Sequence, residues 1–174
     1  MSRNVPHYAY RANPARSVPG IVGRHAGPVR RAPGRPRRTL AVSLDGDGDF
    51  ASVRAALGAV AAAGGRGPVT IEVAPGVYRE LVHVWPTASG VTIRGVSGDP
   101  GDTVLTYDLG VEQEKFYGGA HGAEGSATLS VPADRVTLAD LTVENTFAGE
   151  GPAVALHATG EGLRLRRVTL RPDR

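Results

Sequence analysis

From Thr39 onward apolar and polar positions alternate: Leu40, Val42 and Leu44 are separated by Ala41 and Ser43, the period-two pattern of a half-buried strand. The turn DGDGD at 45–49 follows, and the period then lengthens. Phe50, Val53, Ala56, Leu57 and Val60 form the apolar stripe of a helix predicted from Phe50 to about Ala63, with Asp49 as its cap and Gly64 and Gly65 as its stop. Beyond it come short β-like segments bounded by turn residues: 69–73, 81–84, 91–94, 104–107, 127–131, 136–143, 153–158 and 163–170. The longest interruption, Asp108 to Gly125, is rich in Gly with charges and two aromatics, the kind of connection that lines a functional surface or moves.

A repeat organises these strands. A shift of 27 residues brings Leu129 onto Leu156, Val136 onto Leu163, Leu138 onto Leu165, Leu141 onto Val168, Thr142 onto Thr169 and Val143 onto Leu170. Val82 and Val84 followed by Val91 and Ile93 have the same strand–turn–strand shape. An apolar pattern recurring at 20–50 residues marks a solenoid, in which each coil buries its inner face only by stacking on a neighbour. With β-like spacing, the predicted fold is all-β, a parallel β-helix.

Composition supports strands and turns over helices, with 24 Gly and 13 Pro in 174 residues. The absence of cysteine excludes disulfides, iron–sulfur clusters, thiolate zinc sites and thiol nucleophiles, and no apolar run is long enough to span a membrane. The net charge of +3 is a sum of unlike parts: residues 1–38 carry nine Arg and no acid, while residues 39–174 carry eleven basic and seventeen acidic residues. Residues 1–38 are therefore read as a disordered Arg/Pro/Gly-rich tail. A nucleic-acid arm, with Tyr8 and Tyr10 stacking on bases, is the less favoured reading. The tail lacks the apolar core of a secretory signal, and localisation is left open.

Six stretches then carry a resemblance. LDGDGDFASVRAALGAV, PGVYRE at 75–80, VTIRG at 91–95, GSAT at 125–128, LTVENTFAG at 141–149 and AVALHATG at 153–160, in this order and spacing, resemble the N-terminal half of a pectinesterase (pectin methylesterase), from about Val42 to Leu170. The resemblance implies a right-handed parallel β-helix, incomplete and of a few coils, with one N-terminal capping helix. It also implies the hydrolysis of galacturonate methyl esters in pectin, with pectin or polygalacturonate as partner and no cofactor.

The implied chemistry is that of an aspartyl esterase: one Asp as nucleophile, a second as acid and base, an Arg holding the nucleophile and Gln residues stabilising the oxyanion. The first Asp and one Gln belong to a Gln-Asp-Thr-Leu stretch expected just after LRLRRVTL, where this chain reads RPDR. Asp173 lacks both the preceding Gln and the following Thr-Leu and receives no catalytic role. The second Gln falls on Pro152, which has no side-chain donor, and a substrate-contacting Thr falls on Ala123. Tyr78 and Glu80 are read as architecture, and Asn145 as part of a polar ladder at a β-helix corner. No catalytic, substrate-binding or metal-ligating residue is assigned.

Other chemistries fail on spacing. DGDGD lacks the Gly and Glu that a calcium loop needs at its sixth and twelfth positions, occupied by Phe50 and Ala56. His7, His25, His83, His121 and His157 show no paired ligand spacing. GVSGD is not a nucleophile elbow, and GGAHGAEG is not a phosphate loop. The expectation is a domain over 39–174 that is a truncated pectinesterase-like protein without activity of its own, the alternative being a non-catalytic polygalacturonate-binding module.

Overall fold

The alternation read at Thr39 becomes strand β1 (Arg38–Val42), whose even positions Leu40 and Val42 face the core. The computed structural model describes residues 38–65 and 67–171; of the tail expected over residues 1–38 all but Arg38, which opens β1, lie outside them, as does Asp173. After β1 comes helix α1 (Val53–Ala62), then β2 (Val69–Val73), β3 (Gly76–Arg79) and β4 (Val82–His83). β5 (Thr92–Gly95), β6 (Thr103–Tyr107), the short helix α2 (Gly122–Ser126) and β7 (Leu129–Val131) follow. β8 (Thr137–Asn145), β9 (Leu156–Ala158) and β10 (Arg164–Arg171) complete the described chain.

The strands of both sheets pair in parallel and sort into three faces of a stacked coil. Face one runs β1, β2, β5, the first half of β8 and the first half of β10. Face two runs β3, β6 and the second halves of β8 and β10, and face three runs β4, β7 and β9. This is a parallel β-helix. β8 and β10 each serve two faces by bending at one residue, Asp140 (φ 57°) and Arg167 (φ 50°), which are one repeat apart.

The 27-residue period is the stacking register itself: Leu129 pairs with Leu156, Leu138 with Leu165, Leu141 with Val168 and Val143 with Leu170. In-register stacking places like side chains above one another, so each coil extends the same apolar rows. Ile71, Ile93, Leu105, Leu129, Leu138 and Leu141 are fully buried along these rows. At the bend between faces one and two the coils approach closely, and a Cβ on Gly95 would stand 2.1 Å from the Asp140 carbonyl oxygen. Only glycine fits there.

α1 packs Val53, Ala56, Leu57 and Val60 against the first coil and contacts β1, β2 and β4, as the apolar stripe requires. Its start differs from the expectation. Phe50 lies extended beside β1, donating from its backbone N–H to the Ala41 carbonyl, and the Asp49 carboxylate is taken by the Ala41 N–H at 2.8 Å. The cap is Ser52, whose hydroxyl accepts from the Ala55 N–H at 3.1 Å. A strand-side partner thus outcompeted the cap role at Asp49. Residues 76–79, outside the predicted β-like segments, form β3, in which Tyr78 is buried and Gly76–Arg79 pair with β6. Among the described residues no helix is long and apolar enough to cross a membrane.

Candidate functional site

The segment LVHVW continues the alternation: Val82 and Val84 point into the core, so His83 and Trp85 point out of face three. Register places Ser130 of β7 beside His83 and His157 of β9 beside Ser130, forming an outward polar row across three strands. The His83 ring lies 4.2 Å from the Trp85 ring at 57°.

Above this floor the long connection folds into a small hairpin. The Lys115 N–H donates to the Gly119 carbonyl at 2.8 Å and the His121 N–H to the Gln113 carbonyl at 3.0 Å, with Gly118 and Gly119 at positive φ making the turn. The hairpin sets Lys115 and His121 against the floor, and α2 adds Glu124 and Gly125. Arg54, in the first turn of α1, closes the other side. The result is a groove of about 510 Å³. Ser130 lines it while only 4% exposed, and its hydroxyl has no hydrogen-bond partner.

Asn145 holds these parts together. Its side-chain N–H groups donate to the carbonyls of Leu109, Ser126 and Val154, and its oxygen accepts from the N–H groups of Leu109 and Phe147. One side chain therefore ties the start of the long connection, the end of α2 and the segment leading into β9. Among the described residues no polar ladder forms at this corner, where the in-register neighbour of Asn145 is Tyr107.

The other motif residues also do structural work. Both Glu80 oxygens accept from the first turn of α1, from the Val53 and Arg54 N–H groups at 2.9 Å each. This satisfies two orphan donors with a charge that complements the helix dipole. The Tyr78 hydroxyl donates to the Ala74 carbonyl at 3.0 Å, and burial, then Glu80, raises its pKa. In GSAT, the Ser126 hydroxyl donates to the Gly122 carbonyl and that of Thr128 to the Glu144 carbonyl. At the Asp140 bend, Arg167 Nε donates to Oδ1 at 2.5 Å, and Arg166 stands 3.6 Å from Oδ2. The Arg167 hydrogen bond, with the charges of Arg167, Arg166 and Arg94, holds this carboxyl below the usual carboxylate range.

Ala123 sits exposed in α2, next in sequence to Glu124 of the groove. Pro152 is exposed as well and contributes a carbonyl that accepts from the Val111 N–H at 2.9 Å. Neither offers a side-chain donor or acceptor. His83 and His121 meet at the groove while His157 extends its floor row, and among the described residues no three His, Cys, Asp or Glu side chains cluster to hold a metal ion. Sequence reasoning passed over Trp85 and Lys115. The alternation in LVHVW carried the signal for Trp85; nothing local carried it for Lys115, which reaches the groove through a tertiary turn.

The pectinesterase family model matches residues 39–171. The chain belongs to the pectinesterase family. It is 30% identical over 129 residues to Pectinesterase 31 of Arabidopsis thaliana, covering 71% of this chain and 40% of that protein. With a pectinesterase of Ralstonia solanacearum the identity is 31% over 156 residues, covering 77% and 38%. The solved pectin methylesterase from carrot shares the fold at a TM-score of 0.63 and 21% identity, covering 81% of this chain and 44% of that one. A pectin methylesterase solved in complex with a hexasaccharide gives 0.64 and 23%, covering 76% and 44%. The chain thus spans less than half the length of these relatives.

Proposed function

We propose that this chain supplies the N-terminal coils of a pectinesterase-type carboxylic ester hydrolase acting on galacturonate methyl esters in pectin, and that face three is where the polysaccharide lies. The reading is supported by the family membership and by the groove, which sets an exposed indole, Lys115 and Arg54 over a strand floor. Among the described residues the groove is lined by one carboxylate, Glu124, and by no Asp. Nucleophilic attack on an ester and protonation of the departing methanol need two carboxyl groups in different protonation states, with donors for the oxyanion. Pro152 and Ala123 provide no such donor. A polypeptide of these 174 residues is therefore expected to bind without turnover.

The test is methanol release from methyl-esterified pectin by the pure chain, measured beside binding of the same pectin. Binding with no methanol supports the reading; steady methanol release overturns the absence of turnover. The second reading, a non-catalytic polygalacturonate-binding module, rests on the same groove. It gains if the chain binds saturably as a soluble, cooperatively unfolding monomer and loses if it aggregates.

A further inference from the structure

We propose that the outer edge of β10 is a docking site for a β-strand of another polypeptide, one that alternates apolar residues with Asp or Glu and adds to the sheet in parallel. The proposal is independent of the polysaccharide reading, since β10 belongs to faces one and two and the groove to face three.

The core rows are open at β10. Ile71, Ile93, Leu138 and Leu165 stand in register on face one, and Leu105, Val143 and Leu170 on face two. Every member is fully buried except those of β10, where Leu165 is 47% and Leu170 41% exposed. A cavity of about 220 Å³ lined by Ala153, Val154, Ala155, Leu156 and Leu170 opens at the same place. Among the described residues β10 pairs with β8 alone, so the backbone groups along its other edge have no strand partner. Free backbone groups beside pockets for alternate side chains are what strand addition requires.

Charge decides which strand fits. On the outward rows each carboxylate is met by an arginine of the following coil: Glu72 by Arg94 at 2.6 Å and Glu144 by Arg171 at 3.7 Å. Arg166 and Arg167 share Asp140. β10 therefore sets four arginines, Arg164, Arg166, Arg167 and Arg171, and no acid against two carboxylates of β8. The side chains of Arg166, Arg167 and Arg171 each remain at least 60% exposed, and Arg164 makes no ion pair among the described residues. Opposite charges facing across a strand pair stabilise it and like charges oppose it. A second copy of this chain would bring four more arginines to the four already there, so the occupant that fits is an acidic strand of a different chain.

Charged residues on an edge also serve simply to keep strands apart, and edges blunted in that way carry charges at inward positions too. β10 instead keeps Leu165, Val168 and Leu170 inward, with the cavity beside them.

The probe is a fluorescently labelled peptide, Glu-Leu-Glu-Asn-Val-Thr-Leu-Glu, written to face residues 164–171 in register, with Asn opposite the Arg167 bend because Asn tolerates positive φ. Its counterpart carries Lys for each Glu. The full 174-residue chain is titrated into each at low salt and binding is read by fluorescence anisotropy. The acidic peptide is expected to bind about tenfold more tightly or better, with the difference narrowing as salt rises. Leu165→Asn weakens both peptides. Arg164→Glu weakens the acidic peptide and strengthens the lysine peptide, a reversal that a merely structural arginine does not produce.

Failure of both peptides to bind a chain with the far-ultraviolet circular dichroism of a folded β protein overturns the proposal and leaves the arginines as edge protection. Equal affinity for the two peptides overturns the acidic assignment. A dimer in sedimentation velocity that Leu165→Asn dissociates overturns it in favour of a second copy. Displacement of the acidic peptide by an unesterified galacturonate oligomer overturns it in favour of a polyanion.

Discussion

Ile93, Leu138 and Leu165 occupy one row of face one in three successive coils, and its two leucines, one in the middle coil and one in the last, test the stacking directly. Leu138 is fully buried, whereas Leu165 on β10 is 47% exposed. Replacing Leu138 by Ala removes three carbons from the core, a transfer loss of about 2.4 kcal/mol at roughly 0.8 kcal/mol per buried carbon. The side chains above and below are held by strand pairing and cannot collapse fully, so the cavity raises the total to about 3–4 kcal/mol, inside the range for buried leucines. At Leu165 about half the surface is already in water and no enclosed cavity forms, so the same change costs about 1 kcal/mol. Urea unfolding followed by far-ultraviolet circular dichroism measures both, with midpoints compared at constant slope. A loss at Leu165 as large as that at Leu138 refutes the reasoning, because it means that the outer side of β10 is covered in solution.

Glu80→Gln is expected to lower stability by about 1–2 kcal/mol, since the helix start keeps one of its two acceptors, meets an amide NH2 in place of the other and loses the charge that suits its dipole; thermal denaturation at low salt reads it. Asn145→Ala leaves several buried backbone groups unpaired and is expected to cost about 3 kcal/mol or more, with faster hydrogen exchange at 108–126 than in β2 and β5. For Asp140 the sign follows from its lowered pKa: the stabilisation is fully present above the ordinary carboxylate value near about 4 and is lost as pH falls through the lower folded value. Asp140→Asn tolerates the same positive φ without the charge, so its urea midpoint is expected to fall less than that of the parent chain between neutral pH and pH about 2. A parallel decline in both proteins removes Arg167–Asp140 as the cause.

Much of the architecture was legible before any coordinate. The 27-residue shift that aligned Leu138 with Leu165 and Val143 with Leu170 is the pairing register of β8 and β10, because a solenoid stacks equivalent residues and its core rows must repeat in sequence. Strand β2 and the buried stripe of α1 followed from period alone. Local competition was not legible: Asp49, a good cap by type, was drawn to the Ala41 N–H, and its place passed to Ser52. The roles of Glu80 and Asn145 were hidden for a related reason: Glu80 serves N–H groups 26 and 27 residues away, and Asn145 joins Leu109, Ser126 and Val154, which lie 36, 19 and 9 residues from it on three separate segments.

The amino-acid sequence by itself determined the coil repeat, the family and which side of each strand faces inward, since all three rest on spacing along the chain. Only the tertiary structure decided the groove. Arg54, His83, Lys115, His121 and Ser130 come from four separate segments, and what unites them is the stacking of β4 on β7 and the fold of one hairpin. Spacing in one dimension records burial, but a binding surface depends on which segments the folded chain sets side by side.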